Sequence, residues 1–190
     1  MLPGRMADQI LGDNPNEAFS VQSATIAVVH FPGCDIDKLL EIHSKLSENI
    51  TSKYQTIANV DIIGSHLVAS AGIFETVSQS ERHANDAISF AVEALKTAKS
   101  VLGDDAETRI GVATGGPVYV GVIDIGRPFF EVCGEAVEFA EEIAAKAPKG
   151  VVHTTRAVYE LIYGRGFMIK ERGEVSLGKF GTIVTYTVTQ

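Results

Sequence analysis

The sequence predicts an α+β sandwich, a mostly antiparallel sheet with helices packed over it. Three stretches lead to that class. ATIAVVHF (24–31) is continuously apolar and rich in β-branched residues, as expected of a strand buried on both faces. DIIGSHLVAS (61–70) sets two short apolar runs around Gly64, the pattern of a tight hairpin. Further on, Ala84, Ala87, Ile88, Ala91, Val92, Leu95 and Ala98 recur at helical spacing, the longest such face in the chain.

The elements follow in order. Residues 1–20 carry Pro3, Gly4, Gly12, Asn14 and Pro15 and are expected to form a short helical piece and a linker, with the folded domain over 21–190. Pro32-Gly33 ends the first strand, because proline has no N–H for the ladder. Ile36, Leu39, Leu40, His43, Leu46 and Ile50 then predict an amphipathic helix, with Asp35 or Asp37 as its N-cap. The long helix opens on Ser78-x-x-Glu81, a capping-box pattern, and stops at Gly103. Strands over 109–112 and 118–125 are expected to pair around Gly115-Gly116-Pro117, followed by a short strand over 128–132. A third helix over 135–147 ends before Pro148. A strand at 151–153, a short helix at 155–162 and strands at 167–170 and 182–189 complete the reading.

At 190 residues, with 45% hydrophobic and 21% charged residues, the chain suits one soluble domain with a sizeable core. A net charge of −8 and the lack of any basic run exclude nucleic acid and anionic membrane as expected partners. Cys34 and Cys133 have neither CxxC nor Cys/His ligand spacing, which fits a reducing, cytosolic setting. No basic stretch followed by an apolar one opens the sequence, and no 18 consecutive apolar residues occur, so no membrane insertion by this segment is expected.

Several motifs, in order, resemble the catalytic domain of class III nucleotide cyclases, the adenylate and guanylate cyclases, and most closely the transmembrane cyclases of protozoan parasites. MLPGRMADQI resembles the short segment that joins an upstream signalling helix to that domain. RIGVATGGPVYVGVIDIG is similar to its Arg-Ile-Gly hairpin, with one residue more before the proline. FEVCGEAVEFAEEI lies where the family carries its catalytic helix, and VYELIYGRGFMIKERGEV matches the end of the domain.

Cyclising a nucleoside triphosphate needs the 3′-hydroxyl to attack the α-phosphorus while pyrophosphate leaves. Two divalent ions held by carboxylates activate the hydroxyl and clamp the leaving oxygens. Polar or cationic side chains stabilise charge at the α-phosphate. The resemblance implies two magnesium or manganese ions on two aspartates, one after the first strand and one at the hairpin tip. Those positions hold Pro32 and Ser65 here. Proline offers no ligand atom, and a neutral hydroxyl is a weak ligand for a hard cation. No metal cofactor is therefore expected. Asp35 and Asp37 are either substitute ligands or helix caps.

The family's transition-state asparagine and arginine fall on Glu138 and Glu142. A carboxylate ~4 Å from a phosphate oxygen repels it by roughly 4 kcal/mol at an effective dielectric near 20, before screening. Glu135, Glu138, Glu141 and Glu142 otherwise read as a solvated acidic face. The base-reading pair becomes Asp61 and Glu131, and an acidic Asp61 suits a guanine edge better than adenine. Arg109 and Lys179 match the family's phosphate-contacting cations, or are surface charges. His30 and His66 flank the lost aspartates, as packing residues or as metal ligands.

The resemblance therefore implies a cyclase homology domain of cyclic-nucleotide signalling that is catalytically inactive and acts as a dimerising or regulatory module. The alternative is an active cyclase making cyclic AMP or cyclic GMP with substituted ligands. Expected partners are a second copy or another cyclase domain, with weak binding of a nucleoside triphosphate. The expected place is the cytoplasm, as the cytosolic part of a membrane-anchored receptor cyclase. HLVASAGIF (66–74) and PVYVGVIDI (117–125) are either interface strands or core strands.

Overall fold

A computed structural model describes residues 18–48, 50–74, 79–123 and 129–189. The elements are β1 (Phe19–Val21), β2 (Ala24–His30), α1 (Ile36–Ser47), α2 (Ile50–Lys53), β3 (Ile57–Ile63), β4 (His66–Ala71) and α3 (Ser80–Leu102). They continue with β5 (Arg109–Gly115), β6 (Val118–Ile123), β7 (Phe129–Cys133), α4 (Glu135–Ala145), β8 (Val152–Thr155) and α5 (Arg156–Ile162). β9 (Met168–Leu177), a 3-10 turn (Gly178–Phe180) and β10 (Gly181–Thr189) close the chain. Seven strands form one sheet in the order β3-β4-β2-β5-β8-β10-β9, and β1-β6-β7 form a second. Among the described strands only β5 and β8 pair in parallel, so the sheet is mostly antiparallel, as the sequence predicts.

The alternation of side chains along each strand divides the core in two. Ala27, Val29 and Phe31 point to the face covered by α1, α3 and α5, where Leu39, Ile42, Ile88, Phe90 and Val158 complete the cluster. Ala24, Ile26 and Val28 point to the other face, against Ala136, Ala140 and Ala144 of α4 and Val118, Val120 and Phe130 of the small sheet. The apolar run of β2 is thus buried on both sides. The 66–74 and 117–125 stretches supply core residues too: Leu67, Val68, Ala69, Ile73, Val118 and Val120 are buried. Tyr119 is 53% exposed.

Several expectations need correction. The 109–112 and 118–125 strands do not pair with each other: β5 lies between β2 and β8, and β6 lies between β1 and β7. Gly115-Gly116-Pro117 carries the chain from one sheet to the other instead of reversing it. Gly116 passes so close to Gln22 that a Cβ would stand 2.1 Å from the Gln22 carbonyl oxygen. Phe19 and Ser20, expected at the end of the linker, pair with β6, while the rest of that segment up to residue 17 lies outside the described residues. The capping box falls on Ser78, also outside them, and the N-cap of α3 is Gln79.

On α1 the buried stripe is Leu39, Ile42 and Leu46, whereas Ile36 and Leu40 are 56% and 49% exposed. Asp35 holds the N-cap position with extended backbone, yet its carboxylate makes no capping hydrogen bond. β9 is ten residues long, far beyond the four expected, because its charged residues sit on an edge ribbon with β10 and need no apolar run.

Two buried histidines bind the helices to the sheet. His153 donates from Nδ1 to the Ile143 carbonyl at 2.9 Å and accepts from Arg172 Nη1 at 3.2 Å. His83 bonds Thr25 through Nδ1 at 2.8 Å. Burial lowers both from the ordinary imidazole value; for His153 the Arg172 charge adds to this while the Ile143 bond opposes it, and for His83 Asp86 opposes it. In the unfolded chain both take up a proton first as pH falls, so their contribution is complete above the unfolded value near 6.5 and declines below it. Urea unfolding is expected to show stability falling between about pH 6.5 and pH 5, with a slope of at most ~1.4 kcal/mol per pH unit per histidine. A flat profile over that range would mean that both rings titrate in the native state as they do in water.

Candidate active site

β2 ends and the β3–β4 hairpin turns at the same edge, because the antiparallel register sets His30 opposite His66 and Val29 opposite Leu67. Gly64, at φ 61°, makes the turn without steric cost. Phe31 N–H then donates to the Ser65 carbonyl at 3.1 Å, which brings Pro32 and Ser65 side by side. The two positions singled out from the sequence do meet in space, and neither carries a carboxylate.

A row of side chains crosses the sheet beneath them on the α4 face. Ile63 pairs with His66, His66 with His30, and His30 with Arg109. The two imidazoles stack with centroids 4.1 Å apart. Partial burial, and then the neighbouring His66 and Arg109, hold His30 below the usual imidazole value. Arg109 is engaged already: Nε donates to Glu107 at 2.9 Å, and Nη1 donates to the Ala145 carbonyl at 3.3 Å at the end of α4.

Between this row and α4 lies a groove of about 640 Å³, lined by Ile63, His66, Glu138, Glu141, Glu142, Ala145, Lys179 and Phe180. Spacing of three and four residues puts Glu138, Glu141 and Glu142 along one side of the helix. Lys179 is salt-bridged to Glu138. That partner holds the Lys179 ammonium above its usual value. The Phe180 ring lies tilted against Phe139 with centroids 4.4 Å apart, and Gly178 lies against the Glu142 carboxylate, where a Cβ would stand 3.3 Å from Oε1. The 3-10 turn is therefore held to the acidic helix by the Lys179–Glu138 ion pair and the Phe139–Phe180 contact. Ile63 and Phe180 as groove residues were not legible in the sequence, where each reads as an ordinary apolar position. Lys179 and Glu138 are 41 residues apart, beyond any local pattern.

The remaining predicted residues lie apart from this groove's lining. Asp61 is on β3, the edge of the large sheet, where the Asn59 amide donates to both of its oxygens at 2.7 and 2.8 Å. Burial raises the Asp61 carboxyl despite the opposing Asn59 bond. Glu131 is on β7 of the small sheet, paired with Gly121. Among the described residues no group of three or more His, Cys, Asp or Glu side chains is placed to hold a metal ion. Nor is any described helix long and apolar enough to cross a membrane.

Comparison with known proteins matches this architecture. Guanylate cyclase soluble subunit beta-2 of Homo sapiens is 27% identical over 202 aligned residues, covering 100% of this chain but 32% of the relative. An adenylate cyclase of Mycobacterium bovis is 32% identical over 88 residues, covering 46% of this chain and 19% of the relative. The chain thus spans about a third or less of these relatives. In three dimensions it resembles the guanylate cyclase domain of RhGC from Catenaria anguillulae, solved in complex with GTP, with TM-score 0.75 and 22% identity over 90% of this chain and 98% of that one. A dimeric guanylyl cyclase domain from Blastocladiella emersonii gives 0.71 at 22% identity, covering 90% and 97%. These likenesses establish the fold. The sequence model for the adenylate and guanylate cyclase catalytic domain matches residues 19–190, nearly all of the chain. With the strand order, the hairpin tip and the helix beside it all in place, the chain belongs to the adenylate and guanylate cyclase catalytic domain family.

Proposed function

We propose that this is a cyclase homology domain of cyclic-nucleotide signalling that does not itself turn over a nucleotide and acts by pairing with another cyclase domain. The observation that carries this reading is the meeting of Pro32 and Ser65 at the sheet edge where the chemistry needs two metal-binding carboxylates. The donor set does not fit two divalent ions. The carboxylates that line the groove beside the tip sit on α4, where they would face phosphate oxygens, and Lys179 is neutralised by Glu138. Weak triphosphate binding is part of the same reading, with Asp61 favouring a guanine edge once Asn59 yields one of its oxygens. The greater length of the relatives supports placing this domain within a longer chain, and a cytosolic place in a receptor cyclase is part of the same reading.

Incubation with ATP or GTP and either magnesium or manganese is expected to give no cyclic nucleotide above a denatured control. Product that disappears on Asp35→Asn or Asp37→Asn would establish substituted ligands and overturn the reading. Pairing is tested separately. Sedimentation over a range of concentrations is expected to show a shift from the mass of one chain towards two, and titration into an active cyclase domain is expected to change that domain's rate. A chain that stays monomeric and leaves the rate unchanged has no regulatory partner of this class.

A further inference from the structure

At the opposite end of β2 from the groove, a hydrogen-bond chain, buried at its His83 end, runs through three elements. Thr114 Oγ1 bonds the Ala24 carbonyl at 3.1 Å, Thr25 Oγ1 bonds Thr114 Oγ1 at 3.1 Å, and His83 Nδ1 bonds Thr25 Oγ1 at 2.8 Å. Proton counting fixes its direction. A carbonyl only accepts, so the single Thr114 hydroxyl proton goes to Ala24. Thr25 must then donate to Thr114, which leaves His83 Nδ1 as the donor to Thr25. Nε2 is consequently a bare acceptor, and it is a fully buried atom without a hydrogen-bond partner among the described residues.

The ring has no room to turn away. His83 is 1% exposed, and a Cβ on Gly72 would stand 2.8 Å from imidazole Cδ2, so the ring lies directly on the backbone that leaves β4. One turn further along α3, Asp86 accepts from Thr56 N–H at 3.2 Å and from Thr56 Oγ1 at 2.8 Å, and Gly72 N–H donates to the Thr56 carbonyl at 2.9 Å. His83 and Asp86 together hold the first turns of α3 to the sheet. The groups meeting His83 from β2 and from the chain just after β4 are the neutral Thr25 and Gly72, with the neutral Thr114 behind Thr25, and the charged group that acts on it is Asp86 on its own helix.

We propose that His83 is a proton-operated latch: fixed as the Nδ1–H tautomer by a one-way chain of hydroxyls, it clamps the first turns of α3 to β2, and a second proton, on Nε2, releases that end of the helix. The added proton places a cation in a buried space, with an N–H that has no acceptor among the described residues, which costs free energy unless the helix end moves to let water in. Asp86 offsets this in part but is already committed to Thr56. The direction in which burial moves His83 puts release on the acid side of neutrality.

Long-range proton–nitrogen NMR of the whole chain at about pH 7.5 reads the tautomer. The expected pattern is protonated Nδ1 and bare Nε2 at His83, and an Nε2–H pattern overturns the proposal. Hydrogen exchange, corrected for the intrinsic pH dependence, is then compared at about pH 7.5 and about pH 5. Amides over 80–88 are expected to exchange at least about tenfold faster at the lower pH while the β5 and β8 core changes less. His83→Asn keeps a donor for Thr25 but cannot take up the second proton, and is expected to abolish that local increase. An increase shared by His83→Asn, or one spread evenly over the core, overturns the latch.

Discussion

A chain carrying Pro32→Asp and Ser65→Asp is expected to form no cyclic AMP or cyclic GMP, although the two substitutions place a pair of carboxylates side by side at the sheet edge. The geometry there is sound, since the Phe31–Ser65 bond sets the two positions together. The obstacle is across the groove, where Glu138, Glu141 and Glu142 line the wall and Glu138 occupies Lys179. Adding Glu138→Asn, Glu142→Arg and Asp61→Lys removes two carboxylates from that wall and a third from β3, releases Lys179 and supplies two cations. Triphosphate binding is then expected to tighten by about tenfold or more, a gain of ~1.4 kcal/mol or greater. This is well below the unscreened repulsion, because these side chains are open to solvent. Equilibrium binding of a non-hydrolysable triphosphate to the double and quintuple variants measures the difference. Robust turnover by the double variant alone would show that the acidic face of α4 never meets the phosphates.

What was legible in the sequence was what local periodicity encodes. β2, the hairpin around Gly64 and α3 each declare themselves by a repeat of two or of about 3.6 residues, and the meeting of Pro32 with Ser65 follows from strand register alone. Partners distant in sequence were not legible. Val118 and Val120 alternate as any half-buried strand does, and nothing local says that they pair with β1 instead of β5. Ile36 and Leu40 share helical spacing with Leu39, and only docking against the sheet decides which stripe is buried. Asp35 has the right residue type and backbone for a cap, yet its side chain does not take the role. In the candidate site Pro32 and Ser65 were readable as residue types without a carboxylate, while the contact of Lys179 and Phe180 with α4 depends on a turn that the chain reaches 41 residues later.

The placement of that acidic helix depends on Gly111, and replacing it by alanine is expected to be strongly destabilising. α4 rests on the sheet through Ala136, Ala140 and Ala144, a stripe small enough for its backbone to reach β5. A Cβ on Gly111 would stand 2.2 Å from Ala144 N and 2.4 Å from the Ala140 carbonyl oxygen, and those are backbone atoms that no rotamer change can move. The helix must lift, which loosens the alanine stripe and strains the bonds from His153 to Ile143 and from Arg109 to Ala145. Overpacking of this kind costs ~3 kcal/mol or more, equivalent to a fall of about 6 to 12 °C in Tm for a chain of this size. Gly64→Ala is the matched control. Nothing lies within 4 Å of the added Cβ there, so only the left-handed backbone at φ 61° is penalised, by roughly 1 to 2 kcal/mol. Urea unfolding of both variants at neutral pH compares a clash with a dihedral strain. A Gly111→Ala protein no less stable than Gly64→Ala would mean that α4 sits further from β5 than this packing requires, and the groove it walls would then have to be redrawn with it.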